Sequence, residues 1–270
     1  MNIIECLHTD SKCYKAAQKA KPVGIVVHST GVNNPSLKRY VQPSKGDPKY
    51  SSLIQIIGKN ENGNNWNRNV NKAVHYFIGK KYNGDVAIAH VHPEEYCAWG
   101  VGKGKKGSYN YNPTAHIQFE VCEDNLKNET YFKACYNAAV SLCAEICRRW
   151  GWEADVIVSH KEAHKKGFGS NHSDIDHWLK KYKMTMNDFR NDVDALLHPS
   201  SAFCDYRVKV TAKVLNIRKG AGTNYKKVGA IKDKGVYTIV SESKGKGATK
   251  WGKLKSGVGW ISLDYCKKLD

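Results

Sequence analysis

The chain has 270 residues, more than one average domain needs, and a formal net charge of +18 that is unevenly placed: residues 201–270 hold sixteen Lys and Arg against five Asp and Glu. No run approaches the length of a membrane-spanning helix, so a helical membrane protein is excluded, and a lysine-rich end favours a polyanionic partner reached by long-range, salt-screened attraction. Nine cysteines form no tidy disulfide framework and read as buried thiols of a reduced compartment.

In chain order, Met1-Asn2-Ile3-Ile4-Glu5-Cys6 lacks the charged-then-apolar layout of a secretory signal, which sets the expectation of a protein kept in the cytoplasm until it is released. Residues 1–21 read as an N-terminal arm. Val23-Gly24-Ile25-Val26-Val27 is too short for a helix and rich in β-branched residues, so it reads as a buried strand running into His28-Ser29-Thr30. Residues 35–57 show only weak periodicity, and the Asn-rich residues 60–67 read as a polar surface loop. In His116-Ile117-Gln118-Phe119-Glu120-Val121-Cys122, alternation puts Ile117, Phe119 and Val121 on one face and His116, Gln118, Glu120 and Cys122 on the other.

Residues 131–150 carry Phe132, Cys135, Ala139, Leu142 and Ile146 at helical spacing, with Arg148-Arg149 near the end. Residues 154–158 read as a second apolar strand, ending in Ser159-His160-Lys161-Glu162; a small-residue loop follows, then Ser170-Asn171-His172-Ser173-Asp174. A further helix covers 186–197 with Thr185 as N-cap. Strands alternating with helices predict an α/β domain with helices on a mixed sheet. After His198-Pro199-Ser200-Ser201 the periodicity changes to short strands with Gly punctuation, which predicts a small all-β second domain. The expected domains are therefore 1–197 and 206–270, with 198–205 as linker.

Two strand-end histidines and one carboxylate, His28, His160 and Asp174, make a set of three metal ligands, and a catalytic zinc keeps its fourth position open for water. Such a hydrolase also needs a general base and a group to meet the developing oxyanion. Glu120 supplies the first. His172, two residues before Asp174 and on its side of an extended segment, supplies the second.

Residues 20–197 resemble the zinc-dependent N-acetylmuramoyl-L-alanine amidases of the type-2 amidase and peptidoglycan recognition protein superfamily. The likeness lies in five ordered blocks: 25–30, Val74-His75-Tyr76-Phe77-Ile78-Gly79, Ala98-Trp99-Gly100-Val101-Gly102, Asn112 with 117–121, and 160–174 ending in His177-Trp178. The resemblance implies Zn²⁺ on His28, His160 and Asp174, Glu120 and His172 as catalytic groups, and His75, Tyr76, Trp99 and Asn112 as substrate contacts. Many relatives carry lysine where His172 stands, and some use a tyrosine where Val74 stands, which leaves Glu120 as the base. Ser-Asn-His-x-Asp resembles a phage and prophage branch from Gram-positive hosts.

Residues 206–269, with Leu215-Asn216-Ile217-Arg218-Lys219-Gly220, resemble a bacterial SH3-like wall-binding domain. The expectation is an endolysin-like peptidoglycan amidase. Its alternatives are a host autolysin of the same activity and a non-catalytic peptidoglycan-binding protein. The expected partners are peptidoglycan and anionic wall polymers; no nucleic-acid motif accompanies the basic charge.

Overall fold

The computed structural model describes residues 3–61, 71–198 and 205–269. Most of the expected polar loop at 60–67 lies outside the described residues. The chain divides into two compact units, Met1–His198 and Pro199–Asp270.

The first unit holds strands β1 (Ile3–Glu5), β2 (Ile25–Ser29), β3 (Tyr76–Lys80), β4 (Val86–His90), β5 (Ile117–Val121) and β6 (Ile157–Ser159). Its helices are α1 (Lys12–Ala16), α2 (Tyr50–Ile57), α3 (Glu129–Trp150), α4 (His160–Lys166), α5 (Asp176–Lys181) and α6 (Met186–Leu197). The strands form one sheet in the order β1-β4-β3-β5-β2-β6, parallel except for the β3–β4 pair. This is the mixed α/β sheet that the alternation of elements predicts.

Period-two alternation assigns the two faces of the sheet. Ile25, Val27, Ile117, Phe119, Val121 and Ile157 join the larger core with Phe132, Leu142 and Ile146 of α3. On the other face two smaller cores form. One gathers Phe77 and Ala89 with Leu53 and Ile57 of α2, and the other gathers Val26 and Val158 with Val101 and Tyr109. Between them, the same face carries Gln118 and Glu120 of β5 and His28 of β2.

Helix α3 starts two residues before the apolar periodicity does, because Asn128 caps it by accepting the Tyr131 N–H. Residues 154–158 differ from expectation. Residues Ala154–Val156 form a 3-10 turn, the strand is only Ile157–Ser159, and His160 is the first residue of α4. Seven of the eight described cysteines are buried, and only Cys266 is partly exposed; Cys204 lies outside the described residues. No helix among the described residues is long and apolar enough to cross a membrane.

The second unit is all antiparallel: β7 (Tyr206–Val210), β8 (Leu215–Arg218), β9 (Lys227–Ile231), β10 (Val236–Gly245), β11 (Ala248–Leu254), β12 (Trp260–Ser262) and β13 (Cys266–Leu269), in the order β13-β7-β10-β11-β12-β8-β9. Its own core contains Val208, Val210, Leu215, Ile217, Ile239 and Ile261.

Candidate metal centre and cleft

Parallel pairing of β2 with β5 sets His28 directly beside Glu120. Pairing of β2 with β6 brings Ser159 level with Val27, so His160, one residue on, enters the same region. The loop after α4 returns Asp174 to both rings. His28 Nδ1 and His160 Nδ1 lie 3.1 Å apart, and Asp174 Oδ2 is 3.1 Å from the first and 3.2 Å from the second. With the carboxylate ionised, no placement of protons turns all three contacts into hydrogen bonds. The triangle matches three donors of a tetrahedral zinc, which at ordinary bond lengths sit about 3.3 Å apart.

The far sides of both rings point the same way. His28 Nε2 lies 3.2 Å from Gln118 Oε1, and Gln118 uses its Nε2 to donate to Asn110 Oδ1, so His28 carries its proton on Nε2. His160 Nε2 lies 3.2 Å from Ser170 Oγ, whose own proton goes to the Val101 carbonyl. Both Nδ1 atoms therefore keep a lone pair for a cation, held by the kind of hydrogen bond that orients metal-binding imidazoles. Burial lowers the His28 pKa, and Asp174 and Gln118 oppose this only in part, so the ring stays neutral. Burial raises the Asp174 pKa, but the adjoining His160 and His28 outweigh it and hold the group well below the carboxylate range.

Around the triangle lies a cleft of about 640 Å³ whose lining includes Glu120, His172, Trp99 and Arg39. Glu120 is 8% exposed, and its Oε2 has no hydrogen-bond partner among the described residues. Burial first, and then the charges of Asp174 and Glu123, push its pKa well up; Lys72 at the cleft edge opposes them. The His172 ring packs 4.7 Å from that of His160, and its Nδ1 lies 3.0 Å from Ser170 Oγ.

Of the four expected substrate contacts, only Trp99 lines this cleft. His75 is 1% exposed; its Nδ1 accepts the Gln118 N–H and its Nε2 faces the Tyr96 carbonyl, so it joins β3 to β5 beneath the surface. Tyr76, the next residue, points to the opposite face of the sheet, stacks on His90 and donates to Glu94. Asn112 accepts the Lys21 N–H and donates to the Lys19 carbonyl, and it is Asn110 that reaches the cleft.

Several site residues escape the sequence reading. Gln118 and Ser170 hold the ligand rings, each two residues before a group that sequence does single out, Glu120 and His172. The Trp99-Gly100-Val101-Gly102 block packs against both. A Cβ on Gly100 would meet Gln118 Oε1 at 2.4 Å, and one on Gly102, whose φ is +69°, would meet Ser170 Oγ at 2.6 Å.

A mixed sheet, the helix start at His160 and the loop after α4 together bring two imidazoles, a carboxylate and a buried glutamate to one open cleft, which defines a hydrolase-type site. Residues 18–176 match the N-acetylmuramoyl-L-alanine amidase family profile, and the chain belongs to that family. Among solved structures, it is similar to a Staphylococcus aureus hydrolase, AmiA, determined with its ligand, at 16% identity and a TM-score of 0.50 over 73% of this chain and 84% of that one. It is also similar to PlyL (20% identity, TM-score 0.47, 72% of this chain and 97% of that one) and to a mutant endolysin from Bacillus subtilis (19%, 0.45, 72% and 99%). No curated protein sequence matches the chain.

Proposed function

We propose that this chain is a zinc-dependent peptidoglycan amidase that hydrolyses the amide between the lactyl group of N-acetylmuramic acid and the first L-alanine of the stem peptide. The observation that carries the reading is the convergence of His28 Nδ1, His160 Nδ1 and Asp174 Oδ2, with both rings fixed as lone-pair donors by Gln118 and Ser170. These three residues would hold zinc, which when bound acidifies water and polarises a carbonyl.

The chain's own groups do the rest. Glu120, buried and unpartnered at Oε2, takes the proton from the attacking water as the new C–O bond forms. The oxyanion that develops is met by His172. Its Nδ1 is taken up by Ser170 Oγ, which leaves Nε2 as the nitrogen to meet the oxyanion. As the C–N bond breaks, Glu120 returns its proton to the leaving amine. Trp99, edge-on to Tyr111, offers the cleft an aromatic wall.

The basic antiparallel unit is proposed as an SH3-like module that holds the enzyme on the wall. Support comes from its Leu215-Asn216-Ile217-Arg218 strand and its lysine content. Together with the Ser170-Asn171-His172-Ser173-Asp174 segment, this favours a lysin of the phage or prophage type.

Two readouts on one preparation test the reading: zinc content, and the new amino termini released from purified peptidoglycan. Wild-type protein should carry about one zinc and release N-terminal alanine. His28→Ala and Asp174→Ala should lose both while keeping their circular dichroism, since neither side chain belongs to a hydrophobic core. Full lysis by metal-free His28→Ala would overturn the assignment.

A further inference from the structure

A ligand carried on a loop is only as well placed as the loop's anchors, and the loop bearing Asp174 is tied on both sides to one buried carboxylate. Glu123 follows β5 and is 3% exposed. Its Oε1 accepts the Ser29 hydroxyl and lies 3.0 Å from His177 Nε2. Ser29 Oγ accepts the backbone N–H of Ile175 at 2.8 Å, while His177 Nδ1 lies 3.1 Å from the Ser173 carbonyl. The residues immediately before and after Asp174 therefore each reach Glu123 through one intermediary.

Proton accounting makes this link specific. A carboxylate faces one nitrogen of His177 and a carbonyl faces the other, so both contacts are hydrogen bonds only if the ring is an imidazolium paired with Glu123. The hydrogen bond to Glu123 raises the His177 pKa, and burial opposes it only in part. Glu123 is itself immobilised, since its N–H donates to Thr30 Oγ1 at 3.0 Å and its carbonyl accepts the Asn34 N–H at 2.8 Å. The anchors also act against strain: Ile175 has φ +61° and ψ −44°, a conformation that β-branched residues rarely adopt.

We propose that Glu123, acting through Ser29 and His177, is the positioning residue that holds Asp174 in the ligand triangle. The inference rests on the metal-site reading above. Glu123 contributes no atom to the triangle; it fixes the two peptide groups that flank the ligand.

The test uses the full-length protein. Zinc affinity is measured by competition with a chromophoric chelator, and the absorption of the cobalt(II)-loaded form reports on coordination. Glu123→Gln and His177→Gln should each weaken zinc binding by about 10- to 100-fold and alter the cobalt spectrum. The double variant should be little worse than either single one, because both break the same link. Folded variants that bind zinc and give a cobalt spectrum as wild type does would overturn the proposal, whatever their thermal stability. If Glu123→Gln fails to fold, Ser29→Ala, which removes only the Ile175 anchor, should show the same loss. A wild-type protein that binds zinc no better than His28→Ala would sink the metal site and the proposal together, whereas tight wild-type binding unaffected in the Glu123 and Ser29 variants sinks the proposal alone.

Discussion

Glu120 owes its chemistry to what surrounds it along and across its strand. Alternation within 116–122 makes its direction legible from sequence, because Ile117, Phe119 and Val121 have to face the core. Its role depends on His28 lying in register beside it, a long-range pairing that no local pattern encodes. Replacing it with the neutral isostere, Glu120→Gln, keeps shape and removes the proton acceptor. Turnover should fall by about a hundred-fold or more with zinc still bound, and zinc lost in parallel with activity would make Glu120 a ligand or support instead. His172→Ala should lower kcat by about a hundred- to a thousand-fold, the usual effect of deleting one oxyanion donor. His75 and Tyr76 show where reading by resemblance runs out: adjacent strand residues point to opposite faces, so both could not have reached one cleft. The glycines of 99–102 were visible, but their reason lies in contact with Gln118 and Ser170, far away in sequence. Gly100→Ala should push Gln118 off His28 and weaken zinc binding by about tenfold, read by the same chelator competition.

At the scale of the element, the helices were the most legible parts, since α3 and α6 each bury a stripe that recurs at helical spacing. The approach to His160 was not. An apolar β-branched run cannot tell a 3-10 turn from a strand, and the decisive signal was the next four residues. Ser159-His160-Lys161-Glu162 is a capping box: Ser159 Oγ accepts the Glu162 N–H and Glu162 accepts the Ser159 N–H, which starts α4 at the ligand itself. Arg190 of α6 then grips Glu162 through both terminal guanidinium nitrogens at 2.9 and 3.0 Å. Burial pushes the Glu162 carboxyl up, but the Arg190 hydrogen bond, the Ser159 N–H and the Arg190 charge together hold it below the ordinary range. A folded-state pKa below the unfolded value stabilises the fold above the ordinary glutamate value of about 4.3, and that contribution disappears as pH falls through the folded value. Glu162→Gln should therefore cost about 1–2 kcal/mol at pH 7. In metal-free urea unfolding, its gap from wild type should narrow as pH falls below about 4.3 and close once the folded-state carboxyl is protonated. A gap that stayed constant with pH would show that shape, not charge, supports the helix start.

Over the whole molecule, each unit has hydrophobic clusters drawn entirely from its own residues, and every residue of the ligand triangle and cleft belongs to the first. In sequence, the change from helical to short-strand periodicity near His198 is where a boundary is expected. A binding face on the second unit is less legible in sequence, because aromatic residues serve core and surface alike. Trp251 is 3% exposed and belongs to the interior, whereas Tyr225 and Tyr265, 47% and 53% exposed, remain available to a partner. Cutting and holding should therefore come apart. A protein of residues 1–198 should fold, bind zinc and cleave soluble muropeptides at the full-length rate, yet act more slowly on intact walls. Residues 199–270 alone should co-sediment with Gram-positive walls. If lysine charge supplies the attraction, raising the salt from about 0.1 M to 1 M shortens the screening length from about 10 Å to 3 Å and should release most of the bound fragment. Binding that persists in high salt but falls in Tyr225→Ala would place recognition on the exposed rings instead. A fragment that never sediments, together with a 1–198 protein that lyses whole cells as fast as the full chain, would remove the wall-holding role and leave the second unit a spacer.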